Sequence, residues 1–202
     1  MADLEVDFQR LKAKIADPSF QKNRGLSNEV GYYIFDYDPR DELRVREAVQ
    51  NIANSATIAT IGANVRIFNL YELLMSILNE YGYTNRFSEF EQEHGMATLI
   101  NEINNILEMN EERNLIVEKI QASLIPNEPT IIFLTGVGQV FPLLRSHKVL
   151  NTMNQVIDHV PVVMFYPGKY DGIHLSMFGE LEDDNYYRAF SLRMEWNEHE
   201  DF

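Results

Sequence analysis

Cysteine is missing from all 202 residues, so disulfides, a thiol nucleophile and thiolate-held zinc or iron–sulfur centres are excluded. Basic side chains are scarce: 17 Lys and Arg stand against 31 Asp and Glu, a formal charge of −14. Duplex affinity comes mostly from Lys and Arg meeting phosphates, so direct nucleic-acid binding by the chain alone is not expected. Long hydrophobic runs are lacking too. The longest, Ile131–Leu134 and Val160–Tyr166, fall far short of the ~20 residues of a spanning helix. The opening Met1-Ala2-Asp3-Leu4-Glu5 has neither the basic region nor the apolar core of an export signal. A cytoplasmic protein with no membrane contact is the expectation. What is present, 45% hydrophobic and 24% charged residues, is the composition of a globular domain.

The acidity is uneven. Residues 86–128 hold nine acids against three bases, and residues 180–202 hold eight against two. Each stretch nets −6, so the remainder of the chain is almost neutral. Both read as solvated acidic faces.

Hydrophobic spacing sets out the elements. Leu4, Phe8, Leu11 and Ile15 form one helical stripe, closed by Asp17-Pro18, with a loop over Gln21–Asn28. Tyr32-Tyr33-Ile34-Phe35 reads as a strand. Asp38-Pro39-Arg40-Asp41 reads as a helix start, with Asp38 as cap, Pro39 in the first position and Asp41 in the first turn. Val45, Val49 and Ile52 continue that helix. Thr57–Ile61 and Val65–Phe68 read as two short strands around Gly62-Ala63-Asn64. Leu70–Leu78 is helical, and a helical region is expected from Ser88 to Leu124, with Leu115–Leu124 following a polar break. Thr130–Leu134 and Val160–Tyr166 are continuous apolar runs, the mark of strands buried on both faces, the second ending at Pro167-Gly168. Val149, Met153 and Val156 place a helix between them. Ile173–Phe178 and Tyr187–Met194 read as two strands joined through Glu182-Asp183-Asp184-Asn185. The alternation predicts a single α/β domain over residues 1–202: a mainly parallel, Rossmann-like sheet flanked by helices, with a C-terminal β-hairpin at its edge.

No strong catalytic signature stands out. Thr135-Gly136-Val137-Gly138 follows a buried strand, where phosphate loops occur, but position 141 is Phe rather than a third glycine and no Gly-Lys-Ser/Thr exists. Pro142 follows too soon for a helix start that presents free N–H groups. Asp36, Asp38 and Asp41 suggest a magnesium site, yet capping accounts for Asp38 and the helix N-terminus for Asp41. The five histidines show no zinc spacing. No metal or cofactor is therefore assigned. Parallel strands at Tyr32, Ile131 and Val160 bring their carboxyl ends to one rim, where open α/β sheets place their sites. That rim would gather Asp36, Gly136, Gly138, Arg145, His147, Lys169 and Asp171, either as a working surface or with Arg145 merely paired to Asp36 or Asp171. Tyr186-Tyr187-Arg188 is the densest cluster of interface-type residues.

Several segments resemble the BrxB family of bacterial BREX (bacteriophage exclusion) systems. They are Phe141–His147, the stretch Pro161–Gly172, Asp184–Phe190 and Tyr37–Leu43. The resemblance implies a small component of a phage-defence assembly that also contains a large AAA-type ATPase, an adenine DNA methyltransferase and PglZ, a protein of the alkaline-phosphatase superfamily. The family offers no established catalytic residues to carry over. The resulting expectation is a non-catalytic adaptor that binds other BREX proteins, first of all the PglZ-like one, with homodimerisation left open. A degenerate P-loop-like domain binding a regulatory nucleotide is the alternative, followed by a metal-dependent phosphoesterase.

Overall fold

The computed structural model describes residues 4–22, 31–109, 114–178, 181–183 and 189–198. The chain opens with α1 (Leu4–Ala16), whose Leu4, Phe8, Leu11 and Ile15 are buried. The Asp17 carboxylate then accepts from the Ser19 N–H and starts a one-turn helix, α2 (Pro18–Gln21). Pro18 thus ends one helix and opens the next, and Gln21 is helical rather than loop. Strand β1 (Tyr32–Tyr37) runs into a 3-10 turn at Pro39–Asp41, capped by Asp38 on the Arg40 N–H as the sequence predicts. Next come α3 (Glu42–Ser55), α4 (Ile58–Ile61), β2 (Asn64–Asn69) and α5 (Leu70–Glu80). They are followed by α6 (Phe87–His94), α7 (Met96–Ile106), α8 (Leu115–Ser123), β3 (Thr130–Thr135), α9 (Val137–Val140) and α10 (Ser146–Val156). The last elements are β4 (Val162–Tyr170), β5 (Leu175–Met177), β6 (Leu181–Asp183), β7 (Phe190–Ser191) and α11 (Leu192–Glu198).

Five strands form a parallel sheet in the order β2-β3-β4-β1-β7. Alternation along the strands splits the core in two. Tyr32, Ile34, Ile132, Leu134, Val162 and Met164 face α5, α7, α8, α9 and α10. Phe35, Tyr37, Ile131, Phe133, Val163 and Phe165 face α1, α3 and α11. The connection leaving β1 therefore crosses one face, through α3, while those leaving β2 and β3 cross the other. Above β4 the chain departs to both sides, and this reversal is where open α/β sheets form a crevice. No helix among the described residues is long and apolar enough to cross a membrane.

Four expectations need correction. Thr57–Ile61 is not a strand: the Thr57 and Thr60 side chains form a reciprocal capping box around one helical turn, which Gly62 ends at φ +91°. In the 88–124 region the described residues form three helices rather than two, the additional break falling at Gly95 with φ +79°, a conformation that glycine adopts without steric cost. Strand β4 does not end at Pro167-Gly168. Tyr37 is paired with Pro167, after which β4 leaves the parallel sheet and pairs antiparallel with β5 from Gly168 to Tyr170. A Cβ on Gly168 would lie 2.1 Å from the Ser176 carbonyl oxygen, so only glycine permits this approach. The hairpin exists, but it joins β5 to β6 and holds Glu182 and Asp183 in a strand rather than in the turn. Phe190 and Ser191 instead pair parallel with Tyr33 and Ile34, and helix α11 follows because Leu192 and Trp196 pack on the Phe35 face.

Candidate functional site

A cleft of about 1050 Å³ opens at the carboxyl ends of β1 and β4. Strand β7 covers only Tyr33 and Ile34, so the outer edge of β1 beyond Ile34 has no strand partner among the described residues. Asp36, Gly168, Lys169, Tyr170 and Asp171 line the cleft together with Arg40, Phe178 and Arg193. Three of the predicted rim residues, Asp36, Lys169 and Asp171, thus meet.

Their surroundings differ. Asp36 is only 7% exposed, and its Oδ1 has no hydrogen-bond partner among the described residues. Burial pushes its pKa up, opposed by the nearby Arg193 charge and by backbone N–H groups of Tyr170 and Asp36 itself. Asp171 is a turn-former: its carboxylate accepts from the Ile173 and His174 N–H groups at 2.8 and 2.6 Å, which lowers its pKa. Asp38 accepts from Arg40 Nε at 3.0 and 3.1 Å, and these bonds hold its pKa down at about 2.

The other rim candidates lie elsewhere. Gly136, at φ +75°, borders a second hollow of about 490 Å³ between α3 and the β2–β3 face. A Cβ there would come 2.3 Å from Asn69 Oδ1, the oxygen that caps α5 through the Tyr71 and Glu72 N–H groups. Gly138 gives room to Pro167 and the Phe178 ring. Arg145 is exposed ahead of α10 and His147 is buried in its first turn, and neither lines either hollow. The anticipated Arg145–Asp36 or Arg145–Asp171 pair is not formed: Asp171 is turned onto its own loop, and the cation that acts on Asp36 is Arg193. Tyr186, Tyr187 and Arg188 lie outside the described residues.

Sequence reading missed the groups behind Asp36. Arg193 Nη2 donates to Asp7 Oδ2 at 2.7 Å, the Asp7 side chain being 2% exposed, and the guanidinium lies 5.9 Å above the Phe35 ring. Lys14 and Glu195 add a second ion pair between α1 and α11. A signal existed for half of this: Asp7 sits on the apolar stripe of α1, where an acid needs a cation. Phe178 was missed as well. It lines the cleft, is 44% exposed, and behind it meets Phe141, 39% exposed, edge to face at 6.5 Å. Among the described residues no three His, Cys, Asp or Glu side chains assemble as a metal-binding set.

Comparison with known proteins agrees with the resemblance. The family model described as "BREX protein BrxB" matches residues 66–192. A protein of that name from Bacillus cereus (strain H3081.97) is 45% identical over 196 residues, covering 95% of this chain and 98% of its own. Another, from Escherichia coli O9:H4 (strain HS), is 31% identical over 189 residues, covering 94% and 91%. No solved structure gives a significant match. With a family model spanning more than half of the chain and relatives aligned along almost all of it, the chain belongs to the BrxB family.

Proposed function

We propose that this BREX component serves phage defence as a non-catalytic, cytoplasmic adaptor, holding another protein of the system on the rim above β1 and β4. The PglZ-like protein is the first partner to test. Family membership supports the BREX setting, and one observation carries the adaptor reading. Two large aromatic rings, Phe141 and Phe178, stand partly in solvent beside a charged cleft. Aromatic anchors next to charged groups are the usual centre of a protein interface. A nucleotide at the Gly136 loop is less well supported. The Asn69 side chain occupies the approach to Gly136, and one short turn of helix follows it.

The test is co-purification. A tagged chain expressed with the other BREX proteins is expected to retain the PglZ-like protein, and the Phe141→Ala, Phe178→Ala double variant to release it while melting as a folded protein. Equal retention by the double variant overturns the rim as the docking surface. ATP or divalent metal raising the melting temperature of the chain alone overturns the adaptor reading in favour of a ligand-binding one.

A further inference from the structure

Nearly every acid around the β1–β4 cleft is already answered. Asp7 is held by Arg193, Asp38 by Arg40, and Asp41 by Arg44 at 3.0 Å. Asp171 accepts from two backbone N–H groups and faces His174 Nδ1 at 3.6 Å. Asp36 is the exception. Its carboxylate is more than nine-tenths buried, lines the cleft, and keeps one oxygen without a hydrogen-bond donor among the described residues. Arg193 lies close enough to act on it electrostatically but gives its hydrogen bond to Asp7. A buried acceptor left open beside a cleft is costly, and a donor brought in from outside relieves it.

The charge around it selects the donor. An anion would find Lys169 and the open Nε of Arg193 there, but it would also meet four carboxylates at Asp36, Asp38, Asp41 and Asp171. A metal ion would find no set of three ligands among the described residues. A cationic side chain suits both the open oxygen and the −14 charge of the chain, which draws basic segments towards it. Phe178 and Phe141 supply apolar surface for its stem and for a neighbouring residue, with a cation–π contact available at the ring face.

We propose that the cleft is a socket for an arginine or lysine side chain on a partner protein segment, with Asp36 as the acceptor and Phe178 as the wall. The proposal rests on the adaptor reading and names the chemistry by which the rim recognises its partner.

The test titrates the isotope-labelled full chain with acetyl-Phe-Arg-amide, its uncharged isostere acetyl-Phe-citrulline-amide, and acetyl-Phe-Glu-amide, following backbone amide NMR signals. The arginine peptide is expected to move the Asp36, Tyr170 and Phe178 signals saturably, with citrulline weaker by about tenfold or more, the size of a charge-assisted hydrogen bond. Asp36→Asn is expected to keep the folded spectrum and lose the preference, whereas Phe178→Ala weakens both peptides alike. Equal binding of citrulline, tighter binding of the glutamate peptide, or an Asp36→Asn variant that still prefers arginine overturns the socket. So does a chain that retains its BREX partner yet ignores the arginine peptide, which leaves the adaptor reading intact. Arginine-peptide binding without partner retention supports the socket and removes the adaptor.

Discussion

Replacing Gly168 by alanine tests the junction that shapes the cleft. The new Cβ would lie 2.1 Å from the Ser176 carbonyl oxygen and 2.9 Å from Tyr166 Cε1. Neither neighbour can swing away: one is backbone in β5, the other a ring in the core. Ordinary contact begins at 3.4 Å, so β5 must move by more than an ångström. Over-packing of this kind costs about 1–3 kcal/mol, and each backbone hydrogen bond given up as β5 retreats adds about 1 kcal/mol. A total of about 4 kcal/mol is expected. For a domain of this size that corresponds to a fall in melting temperature of roughly 8–16 °C. Gly82→Ala is the contrast: its φ of +74° brings a backbone penalty that Gly168 does not have, but nothing lies within 4 Å of the added carbon. It should cost only about 1–2 kcal/mol. Thermal unfolding followed by circular dichroism decides the matter. If Gly168→Ala melts within about 2 °C of the parent, or no lower than Gly82→Ala, close packing at this junction is refuted.

Arg193→Ala leaves the Asp7 carboxylate buried without its cation, and urea unfolding is expected to show a loss of about 3–5 kcal/mol, with Asp7→Leu plus Arg193→Leu recovering much of it. Asp36→Asn is expected to raise stability at neutral pH. The folded pKa of Asp36 lies above its unfolded value, so stability is full below the unfolded pKa and falls as pH rises through the folded one. The advantage of the variant over the parent should therefore shrink on acidification towards pH ~4, and a gap that widens instead contradicts the assignment. The isolated chain is expected to leave duplex DNA unshifted in gels at physiological salt, given its −14 charge; a salt-sensitive shift by the pure protein refutes this.

Much of the parallel sheet could be read in advance, because Ile131–Leu134 and Val162–Tyr166 are hydrophobic at every position and only a doubly covered strand needs that. Local capping was legible too: Asp38-Pro39 announces its turn by residue type alone. Short elements resisted. Thr57–Ile61 has strand-like composition, but two threonine hydroxyls closing on backbone N–H and C=O groups decide its form. The end of β4 was misjudged since Pro167 and Gly168 punctuate most chains, and only the Ser176 carbonyl explains the glycine. The cleft was half visible. Asp36, Lys169 and Asp171 follow from strand direction, whereas Arg193 and Phe178 arrive just after β7 and β5, whose placement no periodicity states.

The ion pairs between α1 and α11 join residues 186 and 181 positions apart. Synthesis delivers Asp7 long before Arg193, so the nascent α1 must wait, its acid unanswered on an otherwise apolar face, while every strand of the parallel sheet is made. Contacts of such long sequence separation close late and slow folding. The Asp36 cleft, one wall of which is Arg193, is therefore closed only after all five strands of the parallel sheet have been made.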